Sequence, residues 1–281
     1  MATGNSVNEI NIFLLSFMST LSSNAGAAVR KTGFDSLLNV AYGEDPAQRM
    51  DIYLPVDHSA TQKGALILLH GGAWSSGSRH SFSAYIDSFK NRLPDYAIFN
   101  VDYRLVSQTV HFTNQEADIK TAVNFVASHA GNYNIDSSKI ILMGVSAGAH
   151  LALLQAYKNA SPKISAVIDF FGPSDLEAMY RNPWNVMIPH LMEMAIGGTP
   201  QTSSLYHDLS PVIFIQAGTP PTLILHGKKD LVVDESQSQL LQQRLEQAGV
   251  RNKLIVYPKV GHGWHGNTLS KSFDAIEAFL Q

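Results

Sequence analysis

Residues 139–157 read KIILMGVSAGAHLALLQAY. Two patterns meet inside this stretch. KIILMGV is a short apolar, β-branched run, as a strand buried on both faces requires, and AGAHLALLQAY continues as a helix. Ser146 stands at the corner between them, with Gly144 and Gly148 two residues to either side. A serine at such a corner has two readings. It can cap the helix, its hydroxyl accepting a backbone N–H of the first turn. Alternatively it is a nucleophile held out on a sharp, strained strand-to-helix turn, in a G-x-S-x-G setting. In the second reading the flanking positions are crowded against the turn, which is why they lack side chains. The helix N-terminus also faces the serine and favours negative charge developing there.

The same alternation extends along the chain. NVAYG and QRMDIYLP read as early strands joined by a short polar turn, hence antiparallel. ALILLH, AIFNVDY, KIILMGV, ISAVIDFFG, PTLILHG and KLIVYP read as further strands. Helical spacing occupies SFSAYIDSFKNRL, the segment from Asn114 to His129, AGAHLALLQAY, residues 235–248 and SKSFDAIEAFL. This order predicts an α/β fold, a mostly parallel sheet flanked by helices on both faces. Residues 174–215 break the pattern, with no strand and with Pro183, Pro189 and Pro200 interrupting. Long insertions of this kind serve as lids or pocket walls, or simply pack as irregular connections. Trp184, Met187 and Ile188 are the candidate substrate contacts in it, with Met192 and Met194 adding adaptable side chains.

A serine hydroxyl needs a base, an acid behind the base, and donors for the developing oxyanion. HGGAW, residues 70–74, follows the buried strand ALILL, and its glycines let backbone N–H groups approach a substrate. Gly72, Ala73 and Ala147, the residue after the serine, are the expected oxyanion donors, and Trp74 an expected substrate contact. The acid should follow a later strand. Asp230 lies in the loop after LILHG, whereas Asp234 directly precedes a helical run and reads as its cap. His262 is the first histidine after the last strand and His265 the fallback. His70 reads as a structural hydrogen-bonder of its loop, and His150, His190, His207 and His226 as core or surface residues. No His/Asp/Glu group has metal-ligand spacing, so no metal is expected. The order Ser146, Asp230, His262 is that of α/β-hydrolases.

Composition narrows the field. The 281 residues are 45% apolar and 15% charged, with net charge −3 and no cysteine. This is a globular chain without a basic run for nucleic acid, and disulfides and cysteine nucleophiles are excluded. INIFLLSFMSTL, residues 10–21, is shorter than the about 20 residues of a membrane span. With SSNAGAA after it, residues 1–27 read as a signal peptide, although Glu9 stands where a positive charge is usual. The expected location is secreted or periplasmic if so, otherwise cytoplasmic. Residues 28–281 then form the catalytic domain.

The sequence resembles the HGG-containing carboxylesterases of the α/β-hydrolase superfamily. It looks most similar to the acetyl-xylan/feruloyl esterase-like branch, near the hormone-sensitive-lipase-like esterases. The resemblance runs from about Asn39 to Gln281 and rests on AYGEDPAQRMDIYLP, LLHGGAW, VDYRL, ILMGVSAGAHLALL, DLSP, PPTLILHGKKD and GHGW. It implies hydrolysis of small-molecule or polysaccharide-linked esters with short or small aromatic acyl groups, and no cofactor. Two departures stand out. The loop is HGGAW rather than HGGG, a form shared with kynurenine formamidases, which use the same three residues on an amide. Asp234 stands where the family commonly has proline. A prolyl-oligopeptidase type would need a propeller domain and lacks the HGG loop, and a non-catalytic binding module would have lost one of the parts present here.

Overall fold

The computed structural model describes residues 33–56, 62–183 and 186–281. Residues 1–27, read as a signal peptide, and Trp184 lie outside them. Among the described residues eight strands form one sheet: β1 (Phe34–Ala41), β2 (Arg49–Pro55), β3 (Lys63–Leu69), β4 (Tyr96–Val101), β5 (Ile135–Val145), β6 (Ile164–Phe170), β7 (Thr222–Gly227) and β8 (Asn252–Tyr257). Their spatial order is β1-β2-β4-β3-β5-β6-β7-β8. The pairs β1/β2 and β2/β4 are antiparallel, and all later pairs are parallel.

Every residue of β3 is buried. Successive side chains of a strand point to opposite faces, so its apolar run divides between two cores. Ala65, Ile67 and Leu69 join one cluster, and Leu66 and Leu68 the other. In β5, Ile140 and Leu142 separate from Ile141 and Met143 in the same way. The first cluster is covered by α2 (Phe112–Ser128), α3 (Ala147–Lys158) and α7 (Glu235–Gln247), the second by α1 (Ile86–Arg92) and α8 (Gly266–Leu280). The continuous apolar strands thus reflect helices on both faces. β1, at the sheet edge, is less covered by the described residues, and Leu38 is 64% exposed.

Two segments differ from their sequence pattern. SFSAYIDSFKNRL begins as a 3-10 helix over Arg79–Tyr85 before α1. The 174–215 insertion is helical rather than irregular, with α4 (Leu176–Arg181), α5 (Met187–Ile196), α6 (Leu205–Asp208) and a 3-10 turn at Pro211–Phe214. Pro189 falls in the first turn of α5, where its missing N–H has no intrahelical partner to lose. Among the described residues no helix is long and apolar enough to cross a membrane.

β3, β5, β7 and β8 run parallel, so the loops leaving their C-terminal ends gather along one edge of the sheet. That edge is where open α/β sheets bind ligands. HGGAW follows β3, Ser146 follows β5, Asp230 follows β7 and His262 follows β8.

Candidate active site

The two readings of Ser146 separate at once. It stands at the N-cap position of α3, yet its side chain makes no capping bond. Its backbone is left-handed at φ 55°, a strained conformation for a residue with a side chain. The turn is held by the Ser146 N–H donating to Phe170 O at 2.8 Å. The flanking glycines are steric requirements. A Cβ on Gly148 would lie 2.2 Å from Leu69 O, and one on Gly144 2.3 Å from the Gly148 carbonyl. β3, β5 and α3 meet too closely there for any side chain.

The hydroxyl instead faces His262, with Ser146 Oγ 2.9 Å from His262 Nε2. His262 Nδ1 lies 2.7 Å from Asp230 Oδ2. A carboxylate accepts, so Nδ1 carries the proton and Nε2 is left to accept from the serine. Asp230 is itself fixed: its Oδ1 accepts the N–H groups of Val232 at 2.8 Å and Val233 at 3.0 Å. The structure therefore brings Ser146, His262 and Asp230 into one hydrogen-bonded line. Asp234 caps α7 through Ser236 N at 2.9 Å, and His265 stands at the start of α8 with its ring exposed.

The other histidines of the sequence reading have structural partners or lie at the surface. His70 Nδ1 donates to Gly71 O at 2.7 Å and its ring stacks on Tyr103, whose hydroxyl donates to His70 O. His226 is wholly buried, and burial holds its basicity below that of a free imidazole. His190 and His207 are exposed.

The loop after β3 lies against the serine, since a Cβ on Gly71 would come within 3.4 Å of Ser146 Cβ. Gly72, Ala73 and Trp74 have φ of 126°, 47° and 61°, three left-handed residues in a row. Among the described residues no acceptor takes the N–H of Gly72, Ala73 or Ala147. These three amides are thus available for an oxyanion.

Trp74 requires a correction. It was expected to touch substrate, but its indole is 4% exposed, lies in the core against Phe112 and donates Nε1–H to His150 Nδ1. Buried, and with its N–H occupied, it braces the loop from within. Ile188 is also buried; it lines a small cavity of about 60 Å³ with Met179, Val232 and Asp234, beside the loop that carries Asp230. Met187 is half-buried at the start of α5.

Two residues near the site escaped the sequence reading. Phe171 is buried at φ 44° and packs its ring on His262, centroids 4.6 Å apart. Only the adjoining Gly172 hints at a turn there. Asp169, wholly buried at the end of β6, accepts Gly172 N–H at 2.7 Å. Burial lifts its carboxyl from 3.8 to about 7, against the hydrogen bond from Gly172 that lowers it. The folded protein thus keeps a proton that the unfolded chain gives up above pH about 4. The stability it contributes is lost as pH rises through that interval, and the loss is complete above about pH 7. Asp169→Asn keeps an acceptor for Gly172 and removes this slope. Relative to the wild type it should gain on the order of 2–4 kcal/mol between pH 4 and pH 8, read from urea midpoints at each pH. Parallel curves for the two proteins would mean that Asp169 is ionised in the fold.

The profile of the BD-FAE family matches residues 50–245. The chain belongs to the BD-FAE family. The match takes in HGGAW, Ser146 and Asp230, with His262 beyond it. This BD-FAE chain is similar to esterase LipC of Mycobacterium tuberculosis (strain ATCC 25618 / H37Rv), 26% identical over 272 residues, which cover 90% of this chain and 66% of LipC. Among solved structures it is similar to a truncated carbohydrate esterase from gut microbiota, 25% identical with TM-score 0.74, covering 89% of this chain and 96% of that one. It is also similar to propionate-bound Est2 of the Planctomycetes species Thermogutta terrifontis, 26% identical with TM-score 0.71, covering 90% and 95%. The chain spans two thirds or less of the length of the curated relatives it matches. The fold is that of the α/β-hydrolase esterases.

Proposed function

We propose that this BD-FAE protein is a serine carboxylesterase acting on esters of short-chain or small aromatic acids. The observation that carries this reading is the unbroken line Ser146–His262–Asp230 beside three unpaired amides. His262 Nε2 takes the serine proton as Oγ attacks the ester carbonyl. Asp230 holds the ring tautomer and stabilises the imidazolium. The carbonyl oxygen becomes an oxyanion received by the N–H groups of Gly72, Ala73 and Ala147. Collapse expels the alcohol, which takes the proton from His262, and leaves an acyl-serine. Water, deprotonated by the same imidazole, then releases the acid and restores the hydroxyl.

The substrate class draws on the relatives. Est2 holds propionate, a short acyl group, and the gut protein is a carbohydrate esterase. In this reading the Ala73 side chain, where HGGG would have glycine, narrows the acyl side of the site. The start of α5, with Met187 and Ile188, supplies the pocket wall in this reading. Export of the enzyme, supported by the apolar run and the Ala25-Gly26-Ala27 pattern, would bring it to polysaccharide-linked esters outside the cell.

Turnover of p-nitrophenyl acetate, p-nitrophenyl esters of longer acids, methyl ferulate, acetylated xylan and N-formyl-kynurenine tests the proposal. The acetate or ferulate ester should be turned over at least about tenfold faster, by kcat/KM, than the formamide; tenfold corresponds to about 1.4 kcal/mol of transition-state discrimination. Dominant formamide turnover would reassign the same three residues to amide hydrolysis.

A further inference from the structure

The loop that carries Gly72 and Ala73 has a conformation that its own residues do not favour. Ala73 and Trp74 are both left-handed, a backbone region disfavoured for a residue with a Cβ. Contacts elsewhere must over-determine it. Gly72 O accepts the N–H groups of Ser75 and Ser76, closing a turn beyond the amides. Trp74 O accepts from Val106 N at 2.9 Å and Gln115 Nε2 at 2.7 Å. These bonds hold the backbone of the loop to the segment after β4 and to α2, but not to Ser146.

The indole supplies that link. Trp74 Nε1 donates to His150 Nδ1 at 3.1 Å, and His150 Nε2 lies 2.8 Å from Leu209 O. His150 stands one helical turn after Ser146 on α3, its own N–H bonded to Ser146 O at 3.0 Å. Leu209 follows α6 within the 174–215 insertion. The carbonyl of Leu209 can only accept, so Nε2 must carry the imidazole proton and Nδ1 must be the acceptor that Trp74 needs. The opposite tautomer would set two N–H groups against each other. All of these groups are buried: Trp74 is 4% exposed, His150 0% and Leu209 1%. Burial holds the His150 imidazole down to about 4, so it stays neutral in the working range of an esterase.

We propose that Trp74 and His150 are positioning residues that register the amides of Gly72 and Ala73 to the Ser146 hydroxyl, with α3 as the common ruler and Leu209 setting the tautomer. The inference rests on the esterase reading. An oxyanion donor must sit within a few tenths of an ångström of its place, and a displacement of about 1 Å can cost a hundredfold in rate. Loss of the Trp74–His150 bond would let Ala73 drift without touching substrate binding.

Trp74→Phe removes the N–H and keeps a ring against Phe112. Its kcat on p-nitrophenyl acetate should fall about 10- to 100-fold with KM within about twofold. Rates are normalised to the sites titrated by a fluorophosphonate, so that only folded protein is counted. His150→Asn retains an acceptor at the Nδ1 position and should recover most of the rate lost in His150→Phe. The double variant Trp74→Phe/His150→Phe should be no slower than the worse single variant, because both break one bond. An unchanged kcat in Trp74→Phe, or a loss carried by KM, would overturn the proposal while leaving the esterase reading intact. If Trp74→Phe does not fold, equal rates in His150→Asn and His150→Phe would overturn it. A wild type that hydrolyses none of the esters would sink both.

Discussion

Replacing Ser146 by alanine should lower kcat on p-nitrophenyl acetate by about 10⁴- to 10⁶-fold, while the thermal midpoint stays within a few degrees of the wild type. The size follows from the geometry. In the proposed mechanism Ser146 Oγ is the one atom that links His262 to the ester carbonyl, and it lies 2.9 Å from the imidazole. Without it no acyl-enzyme forms, and only water at the site remains, aided by the unpaired amides of Gly72, Ala73 and Ala147. The backbone consequence is small, because alanine carries the same Cβ into φ 55° as serine does, and the hydroxyl makes no capping bond to α3. The measurement is steady-state hydrolysis of the purified variant beside a melting curve. A variant that kept most of its rate would remove Ser146 from the mechanism, and a fluorophosphonate should label the wild type alone.

Asp230→Asn should cost about 10⁴-fold in kcat, although the carboxamide fills almost the same volume. The carbonyl oxygen of the asparagine would keep the bonds from Val232 and Val233. Its NH₂ group would then face His262 Nδ1, where the carboxylate oxygen lies 2.7 Å away. A donor there demands that Nδ1 accept, which moves the imidazole proton to Nε2 and turns that N–H toward the serine. The base is then in the wrong tautomer, and the imidazolium formed during attack loses its buried counter-charge. Asp234→Asn provides the contrast: it alters only the cap of α7 and should leave kcat within about twofold, since asparagine caps as well as aspartate. If the two variants exchanged these outcomes, the acid would be Asp234.

Much of this arrangement could be read directly from residues. The apolar runs of β3 and β5 announce strands covered on both faces, because burial on two sides leaves no polar positions. The glycines around Ser146 state a steric fact, that β3 and α3 meet there with no room for a Cβ. The succession HGG, serine, aspartate, histidine at the ends of four strands puts all four along one edge of the sheet. What escaped was the direction of side chains in loops. Trp74 follows the same two glycines whether it points out to a substrate or in to His150. No local pattern distinguishes the cases, since the partner lies 76 residues away. Phe171 and Asp169 likewise have roles set by what packs over them: a histidine ring in one case and an uncompensated burial in the other.

The sequence by itself determined the sheet, its order of elements and the steric corner on which Ser146 sits, because periodicity and backbone crowding are local properties. Only the tertiary structure decided that Ser146 is a hydrogen-bond partner of His262 and not a helix cap, that Asp230 and not Asp234 stands behind that histidine, and that Trp74 faces inward. Each of those choices is a contact between distant segments, 116 residues apart for serine and histidine. Such contacts are set by how parallel strands bring their C-terminal loops together, which no short stretch of residues encodes alone.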